Sequence, residues 1–215
     1  MKTLAILLLA LAACAGLAPA ARAVDFTADI VRTMDGQPTP GGKAKAAVMG
    51  GKMRMETAIE GQQQIMISDP AAGKVLMIMP SMNSYIEMAL DPARMGPEAL
   101  KDSAGDLGQW RTLGRETLDG WDCEKRVFEF KDKSKGDVTA WFADKLGHPI
   151  KSVMKEGSST MVMEYKNIKT GPVDAALFTV PAGCQKMSIP GMGSGMGQGY
   201  GPGSPPSGKG KKPGM

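Results

Sequence analysis

Between Val24 and Met187 the sequence is a succession of short β-favouring runs, each cut off by a glycine or an Asp-Gly turn. No other feature constrains the fold as much, because period-2 runs joined by tight turns build antiparallel meanders. Phe26 to Val31 opens the series, and Gly36 and Gly41-Gly42 interrupt it. Lys43 to Val48 and Met53 to Ile59 read as neighbours across Gly50-Gly51. Ile65 to Ile67 and Val75 to Met79 flank Asp69-Pro70-Ala71-Ala72-Gly73, a strong turn signal. Tyr85 to Met88, Gln109 to Arg115, Cys123 to Phe130, Val138 to Phe142, Pro149 to Lys155, Thr160 to Ile168 and Ala176 to Val180 continue the pattern.

One interruption reads as helical. Asp91-Pro92 resembles an N-cap followed by proline in the first turn, and Glu98-Ala99-Leu100-Lys101 resumes after Gly96-Pro97. A helix over about 92–104 is the expectation. The fold class that follows is mainly β (α+β), a strongly curved antiparallel sheet or half-barrel of about ten strands with a short helical insertion.

The two ends differ from this body. Met1-Lys2 precedes an apolar run through Ala13, too short for the roughly 20 residues that span a membrane. With Ala21-Arg22-Ala23 behind it, the segment reads as a signal peptide over 1–23, cleaved before Val24. Leu11-Ala12-Ala13-Cys14 supports a second reading, a lipobox in which Cys14 carries lipid and anchors the protein. Residues 188–215 hold 10 Gly and 5 Pro, have no apolar face, and end in Lys209-Gly210-Lys211-Lys212. Such a tail cannot repay its ordering entropy, so disorder is expected. The folded domain is then 24–187.

The charge divides accordingly. The chain has 26 basic and 22 acidic residues, of which two bases precede residue 24 and four lie from Lys186 onward. The body keeps 20 against 22, so no nucleic-acid-binding surface is expected. The basic tail suits at most peripheral contact with an anionic envelope surface. Export to an oxidising periplasm leaves Cys123 and Cys184, which are expected to form a disulfide.

No constellation for catalysis is legible. His148 is the one histidine and precedes Pro149 in an apparent turn, Ser158-Ser159 has no nearby base, and no phosphate loop is present. The expectation is a protein that is not an enzyme and needs no cofactor. Methionine is the unusual component, 18 residues, many in strand-like runs. Thioethers are flexible and polarizable and suit an adaptable apolar cavity, although they also fill ordinary cores. A weaker alternative is Cu(I) capture by tail Met192 and Met196.

Several motifs resemble a known family. Val173-Asp174-Ala175-Ala176-Leu177-Phe178-Thr179-Val180-Pro181-Ala182-Gly183 is similar to the close of periplasmic lipoprotein carriers. Gly51-Lys52-Met53-Arg54-Met55-Glu56, Trp141 to Lys151 and Glu164-Tyr165-Lys166-Asn167-Ile168 resemble an uncharacterised relative of those carriers. The resemblance implies an open half-barrel whose concave side takes acyl chains. Carriers begin with a helix over the cavity, whereas this chain enters its first strand at once, which leaves segment 92–104 as a smaller lid. The implied partner is an apolar small molecule, a lipid or an acylated protein, lined by Met66, Met77, Met79, Trp110, Trp141, Met161 and Met163. The alternative is a non-catalytic interaction or sensor scaffold of the cell envelope.

Overall fold

The computed structural model describes residues 24–92, 96–100 and 105–188. The expected signal peptide, Cys14 and the tail from residue 189, with Met192 and Met196, lie outside them.

Six strands form a first meander: β1 (Phe26–Met34), β2 (Gln37–Met49), β3 (Lys52–Ile59), β4 (Gln62–Asp69), β5 (Lys74–Met79) and β6 (Ser84–Ala89). A crossing that contains α1 (Pro97–Leu100) leads to β7 (Gly108–Leu118), β8 (Trp121–Phe130), β9 (Asp137–Ala143), β10 (His148–Glu156) and β11 (Ser159–Thr170). A two-residue strand, β12 (Gln185–Lys186), closes the described chain and runs parallel to β6. All twelve strands join one sheet, in the order β12-β6-β5-β4-β3-β2-β1-β11-β10-β9-β8-β7. The first meander runs outward from β1, the chain crosses to the far edge, and the second meander returns until β11 pairs with β1.

Turn chemistry explains the tight hairpins. Asp35-Gly36 and Asp119-Gly120 both hold positive φ at their two central residues (51° and 77°, 49° and 81°). That is the backbone of a primed turn, whose twist matches the strands it joins, and it selects Asp-Gly.

The sheet is strongly curled, and side-chain contacts identify its concave side. β11 and β3 are separated by β1 and β2. In a flat sheet, three strand spacings would hold them about 14 Å apart. Yet the Tyr165 hydroxyl on β11 reaches the Met53 sulfur on β3 at 3.2 Å. The face that carries both residues is therefore the inner one. Its centre is packed by Phe26, Ala28, Ile30, Ala44, Ala46 and Val48. Alanines at Ala28, Ala44 and Ala46 leave room for the sheet to bend.

On the convex face of β4 and β5, Ile65, Ile67, Leu76 and Ile78 pack against Phe178 from the C-terminal segment. That segment corrects an expectation. Residues 175–178 are a 3-10 turn, not a strand, because the Asp174 carboxylate accepts from the Ala176 N–H and starts a helical turn. Of the expected helix over 92–104, the described residues show α1 at Pro97–Leu100, with Pro97 at its first position. Gly41-Gly42 does not end a strand. It lies within β2, where the register with β1 shifts between Val31 and Thr33.

The expected disulfide is absent: Cys123 and Cys184 are both free thiols. Cys123 lies on β8, near one edge of the sheet, in a cluster with Ala143 and Leu146. Cys184 packs with Phe178 and Tyr85, beside β6 and β12 at the other edge. A bridge needs Cα atoms within about 7 Å, and the topology sends the two cysteines to opposite ends.

Candidate functional site

Strand register arranges the inner face in rows. Met55, Met66 and Met77 pair directly across β3, β4 and β5. A second row runs from Met34 through Met161 and Met154 to Val138, Phe128 and Trp110, crossing six strands. A third passes from Arg32 through Met163 and Ser152 to Ala140. Alternation along each strand puts Met53 and Tyr165 on the same side as these rows.

Six of the seven residues expected to line a cavity are thus on one face. Met66, Met77, Met79, Trp110, Met161 and Met163 are all half-buried there. Trp110 stacks edge-on against Phe128 and Phe142, with ring centroids 5.1 and 5.2 Å away. Its indole N–H donates to the Leu100 carbonyl at 3.4 Å, which ties α1 to the inner face. Leu100 is fully buried against Phe128, Phe130 and Val138.

Trp141 is the exception. It pairs with Lys125 and Lys151, between Ala140 and Phe142, and its side chain points to the convex face. The ammonium groups of Lys125 and Lys151 lie 4.7 and 5.4 Å from its ring, and its N–H donates to Glu116. The indole is only 8% exposed and packs into the core cluster with Cys123, Ala143 and Leu146, capped by the two ammonium groups.

Polar groups also reach the inner face. Arg32 follows Phe26, Ala28 and Ile30 in the same parity and is 5% exposed. One guanidinium nitrogen donates to the Gly41 carbonyl at 2.8 Å, while its Nε has no hydrogen-bond partner. Burial pushes its pKa down. Ser152, 1% exposed, has an unpartnered hydroxyl. Burial pushes the pKa of Tyr165 well up, with the nearby Glu98 carboxylate raising it further. Burial likewise raises the Glu98 carboxyl, although backbone hydrogen bonds from Glu98 and Gly96 partly offset this.

Sequence reasoning passed over Arg32, Ser152 and Glu98. For Arg32 the signal was available: a charged residue that continues an apolar parity. His148 is not the exposed turn residue it resembles. It is buried in edge-on contact with Phe26 and Tyr165, with ring centroids 5.2 Å from each.

Two shallow hollows lie on the β7–β9 half. One, about 310 Å³, is lined by Arg115, Glu116, Thr117, Asp122 and Cys123. The other, about 230 Å³, is lined by Glu124, Arg126, Phe142, Ala143, Asp144 and Gly147. The first is mostly polar and the second about equally polar and apolar, and neither contains any of the seven expected lining residues. Among the described residues no group of three or more His, Cys, Asp or Glu is placed to hold a metal ion.

A family model described as a domain of unknown function, DUF4412, matches residues 31–147 and 129–184. The chain belongs to the DUF4412 family. No curated protein matches this family member. Solved structures similar to it include an uncharacterized conserved protein from Thermus thermophilus, at 12% identity and a TM-score of 0.51, covering 77% of this chain and 90% of that one. MucB in the Pseudomonas aeruginosa MucA/MucB complex is similar at 14% identity and TM-score 0.46, over 78% of this chain and 59% of that one. A domain from Vibrio parahaemolyticus described as outer-membrane lipoprotein-sorting is similar at 9% identity and TM-score 0.37, over 72% and 89%. The Thermus protein shares the fold. An uncharacterised relative of lipoprotein carriers is what the motifs of the DUF4412 chain resembled, and a family of unknown function is what its sequence matches.

Proposed function

We propose that this DUF4412 protein is an exported, non-catalytic binding protein that holds an apolar ligand, a lipid or acylated peptide, against its concave methionine face. The observation that carries this reading is the register of that face. Met55, Met66 and Met77 form one continuous row, and Met34, Met161 and Met154 form another. Thioethers side by side give a deformable apolar wall, suited to a flexible chain rather than to one rigid shape. An acyl chain of about ten methylenes laid along it would contribute on the order of 8 kcal/mol before the costs of binding. No catalytic group is needed for that. The finer form of the reading is a place in lipid or lipoprotein trafficking in the envelope, the role that the resemblance of the sequence motifs implies.

A second reading has its own support. Phe26, Ile30, Met53 and Tyr165 fill the centre of the inner face, and neither hollow on the β7–β9 half is lined by the methionine rows. A scaffold whose concavity is occupied by its own side chains would bind a protein instead.

One experiment separates the two. The protein is purified without detergent and analysed by native mass spectrometry and lipid extraction. It is then titrated with a fluorescent fatty acid. Co-purified lipid, or saturable probe binding weakened by Met66→Asp together with Met77→Asp, is the result expected of the binding protein. A ligand-free protein that ignores the probe supports the scaffold.

A further inference from the structure

Among the described arginines, one on the inner face has no counter-charge. Of the five described arginines, four pair with a carboxylate: Arg54 with Glu56, Arg111 with Glu129, Arg115 with Asp144 and Arg126 with Glu124. The fifth, Arg32, is the most buried of them at 5% exposed, and it has no carboxylate partner among the described residues. Burying a charge without pairing it is expensive, so a buried guanidinium is ordinarily found with an anion. Glu98 does not fill that role: no interaction joins it to Arg32, and its carboxyl accepts from the backbone N–H groups of Gly96 and its own residue while its Oε2 stays buried and unpartnered.

The neighbouring groups suit an anion. Register puts Arg32, Met163 and Ser152 side by side on β1, β11 and β10. The guanidinium Nε and the Ser152 hydroxyl are both buried and unpartnered, and they flank the Met163 thioether on the same face. An N–H donor and an O–H donor on either side of a thioether form a cradle for a charged oxygen group. The methionine rows lie on both sides of it.

We propose that the concave face recognises an amphiphile: an acyl chain laid along the methionines, ending in an anionic oxygen group held by Arg32 Nε and Ser152 Oγ. The inference rests on the apolar-ligand reading and adds the class of head group. That group is a carboxylate or a phosphate, and both offer the charged oxygens these donors need.

The test compares three sixteen-carbon probes on the purified protein, each followed by displacement of a fluorescent fatty acid below the concentration at which it forms micelles. Palmitate and hexadecyl phosphate are anionic, whereas hexadecanol is neutral. The expected result is at least tenfold tighter binding of one or both anions than of hexadecanol. Whichever anion binds more tightly identifies the head group as carboxylate or phosphate. Arg32→Met should bring the anions down to the level of hexadecanol while leaving hexadecanol unchanged, and Ser152→Ala should reduce the preference partway. Equal binding of all three probes by the unaltered protein would overturn the anionic cradle and leave the apolar reading standing. Failure of all three to bind would overturn both. The comparison on the unaltered protein decides the matter even where Arg32→Met does not fold.

Discussion

The hydroxyl of Tyr165 donates to the sulfur of Met53 across two intervening strands, at 3.2 Å. A side chain from the second meander is thereby fastened to one from the first, and the contact exists only while the sheet is curled. Tyr165 is 2% exposed, so its ring is also core. Tyr165→Phe should cost about 1 kcal/mol, the typical net worth of one buried hydrogen bond. Tyr165→Ala removes the ring as well and should cost about 3–5 kcal/mol. Urea denaturation checks both. A Phe variant as damaged as the Ala variant would mean that the hydroxyl, not the ring, carries the contact.

Glu98 makes stability fall as pH rises. Its carboxyl is raised above the ordinary 4.5 by burial, so the folded state holds the proton more tightly than the unfolded chain does. The favourable contribution is complete below 4.5 and is lost as pH climbs through the raised folded value. Asp69 and Glu124 act oppositely. Lys52 lowers Asp69 and Arg126 lowers Glu124, so their contributions are lost below the ordinary carboxylate range. The two windows are therefore separate. Glu98→Gln should flatten the loss above pH 4.5 and leave the acid limb unchanged, as measured by melting temperature against pH.

The C-terminal segment is held on the convex side by Arg54. One guanidinium nitrogen donates to the Leu177 carbonyl at 2.6 Å, and the other side of the group binds Glu56 at 2.7 Å. Arg54→Gln should cost about 1.5–3 kcal/mol, as expected for a hydrogen bond from a charged donor. Amide exchange over residues 173–184 should speed up more than exchange in β10 and β11. Uniform acceleration would instead point to global destabilisation.

Cys184 is half-exposed, whereas Cys123 is buried and burial pushes its thiol pKa up. Because the thiolate is the reactive form, iodoacetamide should label Cys184 in the native protein and spare Cys123. After unfolding without reductant, both should be labelled. A peptide in which the two are joined would contradict the free thiols of the structure.

Gly108 begins β7 where the edge strand lies hard against β8. A Cβ there would sit 2.3 Å from the Glu129 carbonyl oxygen and 2.7 Å from the Phe128 ring. Gly108→Ala should destabilise by about 1–3 kcal/mol through overpacking. It should also shift the emission of Trp110, whose ring contacts Phe128. An unchanged melting temperature would show that β7 moves aside freely.

The linear sequence determined the strands and the tight turns, because side-chain alternation and Asp-Gly chemistry are local. It also put Met66, Met77, Met79, Met161 and Met163 into strands. It could not determine which strands become neighbours or which parity faces inward. Parity relates residues within one strand only. Between strands it depends on register, and register slips at bulges between Thr27 and Asp29, between Pro149 and Lys151 and between Thr112 and Gly114. Only the assembled sheet could therefore turn Trp141 outward while Trp110 faced in, carry Cys123 and Cys184 to opposite ends, and bring Arg32 beside Met163 and Ser152. Each of these depends on pairing between residues far apart in the chain, which tertiary packing decides and local composition does not record.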